Sequence, residues 1–181
     1  MAGVMNAEHR RFEMQVMPHL GAAYRHAMAL ARSRADAEDL VQEALLRAYR
    51  GLQGLRDAEA KAWLLTIVRN CFYSSRTRQQ KRAAISAPAT TADLEEVPIA
   101  RDLEPESVSL GEERKRELGD ALAKLSTEHR EILLLREVED MSYREIASIA
   151  NLPIGTVMSR LARARLTLRE TWVAEHGEDQ P

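Results

Sequence analysis

The chain has 181 residues, 45% of them hydrophobic and only 4% aromatic, with a formal net charge of -2 at neutral pH. Such an Ala/Leu-rich, aromatic-poor composition suits packed helical layers better than a sheet, and the length allows one domain or two small ones. A single cysteine, Cys71, excludes an intramolecular disulfide; no apolar run approaches the ~18–20 residues of a bilayer span; and residues 1–12 are too polar for a secretory leader. A cytoplasmic chain with no membrane insertion is expected.

In chain order, a helix is expected after Asn6, a suitable N-cap, with Phe12, Met14 and Met17 directed to a core. Pro18 opens a second helix reaching about Ala31, with Leu20, Tyr24, Ala27 and Leu30 or Ala31 along one face. His19 and His26 stand too far apart to share one metal without further ligands. With no Cys-x-x-Cys or His-x-x-x-His pair, no metal site and no cofactor are expected.

A third helix is read over about 35–50. Ala37, Leu40, Val41, Ala44, Leu45 and Ala48 make its inner side, and Asp36, Asp39 and Glu43 line an outer edge at i, i+3 and i+7. Like charges so placed repel by a few tenths of a kcal/mol. Two readings compete: the acids favour the positive end of the helix, or they present a carboxylate row to a basic partner. Catalytic carboxylates are disfavoured, because no nucleophile, base or metal ligand accompanies them.

Gly51, Gly54 and Asp57 mark a loop, and a long helix follows over about 58–80 with Ala60, Trp63, Leu64, Ile67, Val68 and Cys71 inward. Arg69, Tyr73 and Arg76 lie on the opposite face with Thr66 and Gln80, and Asn70 is at its edge. Cations, an aromatic ring and amides together can neutralise phosphate, stack a base and hydrogen-bond its edge, as a single-stranded nucleic acid requires. The plainer reading is the charged outer face of a surface helix.

The low net charge conceals an inversion. Residues 60–82 carry six basic side chains (Lys61, Arg69, Arg76, Arg78, Lys81, Arg82) and no acid, whereas residues 83–113 carry eight acids against Arg101. Residues 83–110 have no helical period and several Pro and Thr steps, which reads as a flexible acidic linker. An all-α chain of two small helical domains is therefore expected: 1–82, the linker 83–110, a second domain 111–174 and a tail 175–181.

The second domain reads as helix, helix, tight turn, helix over 125–172. Ser142-Tyr-Arg-Glu145 is a capping box, Tyr143, Ile146, Ala147 and Ala150 form an apolar stripe, and Asn151-Leu152-Pro153 breaks the helix. At about 100° per residue, Val157, Leu161, Ala164, Leu168 and Trp172 then fall on one side and Thr156, Ser159, Arg163 and Glu170 opposite. Arg160 takes one shoulder, and Arg165 and Arg169 the other. Small hydroxyls near the N-terminal end and arginines further along suit a helix laid in a major groove. A solvated amphipathic helix is the bland alternative.

Three motifs in order, DAEDLVQE (36–43), WLLTIVRN (63–70) and LPIGTVMSRLARAR (152–165), resemble the extracytoplasmic-function (ECF) sigma factors of bacteria, the two-domain type. The resemblance covers about residues 20–169. It implies a non-catalytic specificity subunit that directs RNA polymerase core to promoter DNA, in a stress or envelope response. By the same resemblance, Asp36, Asp39, Gln42 and Glu43 are expected to contact the β′ clamp helices of the polymerase. Arg69, Asn70, Tyr73 and Arg76 are expected on the downstream promoter element, where opening takes place. Thr156, Ser159, Arg160 and Arg163 are expected on the upstream element, with the β flap as a further polymerase partner.

Ser74-Ser75 depart from the bulkier residue expected in the region-two helix. With the chain closing soon after Trp172, no sensory domain is expected, and regulation falls to an anti-sigma protein. Other function classes need features that are missing. A conventional dimeric helix-turn-helix regulator would need a heptad-bearing dimerisation helix, and a DNA-processing enzyme would need clustered metal carboxylates or a nucleophile. A pure interaction module would not need Arg160 and Arg163 on a helix aimed at a groove.

Overall fold

Alanines decide how the first helices meet. Ala23 and Ala27 on one helix and Ala37, Ala44 and Ala48 on the next are fully buried, and side chains this small let helix axes approach closely with no rotamer entropy to lose. The computed structural model describes residues 2–31, 33–56, 59–86 and 110–177. They fall in two units, Met1–Ile99 and Ala100–Pro181, both helical, and among the described residues there is no strand.

The first unit contains α1 (Ala2–Gln15), α2 (Leu20–Ala31), α3 (Arg34–Arg50) and α4 (Ala60–Ser86), with single 3-10 turns at Met17–His19 and Leu52–Gly54. Helices α2, α3 and α4 each pack on the other two. Their shared core joins Leu30, Leu40, Val41, Leu52, Leu55, Leu64, Val68 and Cys71 to the alanines. Each fully buried leucine contributes roughly 1.5–3 kcal/mol relative to an exposed one. Leu65, off the expected stripe of α4, is fully buried as well, while Leu45, Trp63 and Ile67 are only partly so.

Two expectations fail near the start of the chain. Met14 is 75% exposed and Met17 38%, whereas Phe12 and Val16 are buried. One helix face can meet the core, Phe12 and Val16 occupy it at i and i+4, and Met14 points away from both. Arg11 ties α1 down by donating from Nη2 to the Leu55 carbonyl at 2.8 Å. The fourth helix also outlasts its expected end, so that 83–86, read as the start of the linker, are helical. The remainder of that linker, 87–109, Asp57 in the expected loop, and the end of the tail, 178–181, lie outside the described residues.

The second unit contains α5 (Leu110–Ala123), α6 (Thr127–Glu137), α7 (Tyr143–Ala150) and α8 (Ile154–His176). Helix α8 packs on α5, α6 and α7, and its Val157, Leu161 and Ala164 are buried with Leu125, Ile132, Leu135, Ile146 and Ile149. Ile149 was not on the expected stripe of α7, and Tyr143 and Ala147, which were, are only half-buried. Arg130 is buried for a local reason: its Nη1 donates to the Leu125 carbonyl at 3.1 Å and the Leu122 carbonyl at 3.4 Å, satisfying chain ends left open after α5.

The turn between α7 and α8 forms by local chemistry. Ser142 N–H donates to Glu145 Oε2 at 2.8 Å and Glu145 N–H to Ser142 Oγ at 3.2 Å, completing the capping box. At the other end of α7, Asn151 takes the left-handed conformation with φ 52°. The Leu152 N–H reaches the Ala147 carbonyl at 2.9 Å and the Asn151 N–H the Ser148 carbonyl at 3.3 Å, the crossed pair of a Schellman motif. Asparagine tolerates this conformation far better than a β-branched residue. Pro153 then caps α8 at φ -59°, where its missing N–H costs nothing.

Candidate nucleic-acid interface

On α3, Asp36, Asp39, Gln42 and Glu43 are all exposed, along the side opposite Ala37, Leu40, Val41, Ala44 and Ala48. They are not equivalent. Asp36 is held in the N-terminal cap: Ser33 Oγ donates to Asp36 Oδ2 at 2.8 Å and accepts from the Asp36 N–H at 3.1 Å. Glu43 accepts from Arg47 Nε at 2.7 Å, one turn on. Among the described residues nothing pairs with Asp39 or Gln42. Leu46, four residues past Gln42 and three past Glu43, is 55% exposed in the middle of this face. Sequence reasoning passed over Leu46, although its position off the inward stripe was the available signal. Behind the edge lies Cys71, and burial pushes its thiol pKa up, which keeps it protonated and inert.

The face of α4 holds a stack. The Arg69 guanidinium carbon lies 4.5 Å from the centroid of the Tyr73 ring, and the Tyr73 ring meets Phe72 edge-on at 5.2 Å. Arg76 is half-buried on the same side and Asn70 is exposed at its edge. The neighbouring hydroxyls are engaged with their own helix: Thr66 Oγ1 donates to Ala62 O at 2.8 Å, Ser75 Oγ to Phe72 O at 2.8 Å and Thr77 Oγ1 to Tyr73 O at 2.9 Å. Those hydroxyls keep only their acceptor lone pairs, so the donors on this face are the guanidinium groups, the Tyr73 hydroxyl and the Asn70 amide. At its N-terminal end Lys61 stands close enough to His19 to act on it. Burial first, and the lysine charge second, hold the His19 imidazole pKa below its usual value.

On α8, Ser159 and Arg163 are exposed and Thr156 and Arg160 half-buried. Ser159 Oγ donates to the Thr156 carbonyl at 3.1 Å, which leaves it able to accept a further hydrogen bond but not to donate one. Three arginines of this helix differ in their partners. Arg165 donates from Nε at 3.0 Å and Nη2 at 2.5 Å to Glu137 Oε1. Arg160 forms an ion pair with Glu128 at 3.1 Å. Arg163 has no partner among the described residues. The two glutamates belong to α6, and sequence reasoning found neither, because the pairing needs the packing of α6 on α8.

The site residues thus fall on three helices, the acidic edge on α3, the basic face on α4 and the hydroxyl-arginine face on α8, each placed as its helical period required. Among the described residues no group of three His, Cys, Asp or Glu is arranged to hold a metal ion, and no helix is long and apolar enough to cross a membrane.

The family model for sigma-70 region 2 matches residues 16–82, which hold α2, α3 and most of α4, and that for sigma-70 region 4 matches residues 115–168, across the helix-turn-helix. The chain is 34% identical over 164 residues to an ECF RNA polymerase sigma factor, SigE, of Mycolicibacterium smegmatis; the match takes in 91% of this chain and 62% of that relative's length. It is 34% identical to the ECF sigma factor SigL of Mycobacterium tuberculosis over 86% of this chain and 87% of that one. A solved structure of the sigma factor RpoE of Bartonella quintana, in complex with the anti-sigma factor NepR, superposes with a TM-score of 0.66 at 31% identity, over 88% of this chain and 95% of that chain. With both family models matched in order and identity of this extent to named members, the chain belongs to the ECF RNA polymerase sigma factors.

Proposed function

We propose that this chain is the dissociable promoter-specificity subunit of a bacterial RNA polymerase, acting in the cytoplasm and without catalysis of its own. The observation that supports it most directly is α8, which presents exposed Ser159 and Arg163, the latter without a partner among the described residues, on the face opposite its buried stripe and shortly after a tight, capped turn. A helix so displayed reads base edges in duplex DNA. Thr156, Ser159, Arg160 and Arg163 would take the upstream promoter element. Arg69, Asn70, Tyr73 and Arg76 would hold unstacked bases and phosphates of the downstream element, the capture of an extruded base offsetting a few kcal/mol of unstacking.

The core polymerase contact would be made by the α3 edge. Asp39 and Gln42 are available there, Asp36 and Glu43 add negative charge, and exposed Leu46 supplies an apolar anchor among them. Such a composition fits the β′ clamp helices, with the β flap taken by the second unit. An anti-sigma protein, as named in the RpoE complex, would compete for the same faces and regulate a stress or envelope response.

Run-off transcription from fragmented genomic DNA, with bacterial core polymerase in the presence and absence of the purified chain, tests this reading. Discrete transcripts that depend on the chain are expected, with start sites that align two promoter elements. Sequence-specific duplex binding by the chain alone, with no such transcripts from any core polymerase that binds it, would replace the reading with a free-standing regulator.

A further inference from the structure

The core of the first unit releases α4 before that helix ends. Among the described residues Cys71 is its last buried side chain and Arg76 its last half-buried one, and the side chains of 77–83, nearly two turns, are exposed all round. The helix nevertheless continues to Ser86, about 15 Å past Arg76. This stretch carries Arg78, Lys81 and Arg82, none of which has a partner among the described residues. At about 100° per residue they lie about 180°, 120° and 140° around the helix from Arg69, whereas Tyr73 and Arg76 lie within about 40° of it. The three cations therefore face away from a strand laid along the Arg69–Tyr73 stack.

The helix itself does not account for them. At i, i+3 and i+4 they repel one another. The macrodipole favours cations only in the last turn, which holds no basic residue. A helix that is polar all round and without internal ion pairs is stabilised by a partner, and here the partner must be anionic. Residues 74–83 include no aromatic side chain, so this side lacks the stacking surface a single strand needs, while cations alone suit the phosphates of a duplex.

We propose that Arg78, Lys81 and Arg82 bind phosphates of the duplex DNA between the two promoter elements, next to the point where the downstream element opens. This inference rests on the reading of α4 as the downstream-element helix. Where the captured strand parts from the duplex, phosphates of the paired region lie beside it, within reach of side chains on the far side of a helix only about 10–12 Å wide. The chain leaves α4 at this end for the second unit, which on the same reading holds the upstream element, so the adjoining duplex is the one between the elements. One side of α4 then fixes the paired DNA while the other draws a strand out of it.

The test uses holoenzyme made from the full chain and core polymerase, with two probes cut from a promoter found by run-off transcription. One is the non-template strand of the downstream element alone; the other is the same strand carrying adjoining duplex that stops short of the upstream element. In the triple variant Arg78→Ala, Lys81→Ala, Arg82→Ala the forked probe should bind at least roughly tenfold weaker at low salt, with a salt slope shallower by about 2–3, and the single-stranded probe should change less than about twofold. Alanine is the best helix former and all three positions are exposed, so the helix persists in the variant. Arg78→Lys with Arg82→Lys should keep the wild-type slope, since a phosphate needs only a point charge.

An unchanged slope on the forked probe would overturn the inference. Equal losses on the two probes would also overturn it, assigning the cations to the separated strand. A loss explained by weaker assembly with core polymerase, measured without DNA, would replace the duplex with an acidic protein surface. In each case α4 remains the downstream-element helix as long as Tyr73→Ala weakens binding of the single-stranded probe; if it does not, that reading itself falls.

Discussion

The Arg69 guanidinium lies over the Tyr73 ring at 4.5 Å, one helical turn apart on the outer side of α4. The stack holds cation and ring in one geometry before any nucleic acid arrives. On the proposed reading the two side chains act together, the ring supplying a π-surface and the guanidinium a positive charge beside it. Loss of the ring in Tyr73→Ala should weaken binding of holoenzyme to the single-stranded downstream element by about 1–3 kcal/mol. Tyr73→Phe should retain most of that affinity, because the stack needs the ring and not the hydroxyl. A Phe variant as weak as the Ala variant, in a fluorescence-anisotropy titration, would remove stacking from the account.

The acidic edge of α3 separates charge that stabilises the fold from charge that is available to a partner. Asp39 has no partner among the described residues, so Asp39→Arg should leave the unfolding free energy from urea titration within about 0.5 kcal/mol of wild type. On the proposed reading, in which the carboxylate row meets a basic partner, the same change should lower affinity for core polymerase at least about tenfold. Ser33→Ala should do the reverse, costing about 1 kcal/mol of stability through the lost cap and leaving core affinity nearly intact. Competition binding against a labelled sigma subunit would show the two effects in the two variants.

Arg163 is exposed and has no partner among the described residues, whereas Arg160 and Arg165 are held by glutamates. Arg163→Ala should cost about 1–3 kcal/mol on a selected upstream duplex if it reads a base. Equal losses on selected and scrambled duplexes would assign it to phosphate alone.

The capping box predicts a stability effect confined to the second unit. Ser142→Ala removes the acceptor for the Glu145 N–H and should destabilise by about 1 kcal/mol, with Ser142→Thr close to neutral. Hydrogen exchange in α7 should report the loss, and protection in α3 and α4 should stay as in wild type.

His19 makes stability in the first unit depend on pH. Its folded pKa lies below the ordinary 6.5, chiefly from burial and secondarily from Lys61, so the unfolded chain binds the proton more readily. The stabilisation is fully present above pH 6.5 and is lost as pH falls through the folded value. Between about pH 7 and pH 5.5 the urea midpoint should therefore fall further in wild type than in His19→Asn. Parallel curves for the two would show that His19 titrates alike in both states.

What was legible in the sequence was what near neighbours decide. Ser142 and Glu145, three residues apart, form their cap through short-range hydrogen bonds, and Asn151-Leu152-Pro153 breaks the chain by local sterics, so α7, its turn and α8 could be read without a fold. The helical period likewise put Asp39 and Arg163 outside and Ala44 and Leu161 inside. Packing between distant segments decided the rest. Phe12 on α1 and Val16 just past its end took the side that meets the core and left Met14 in solvent. Glu128 and Glu137 became partners of Arg160 and Arg165 only because α6 lies against α8. A helical wheel ranks these arginines by angle alone. Which of them is already paired depends on charges brought close by a neighbouring helix, and a local pattern carries no information about them.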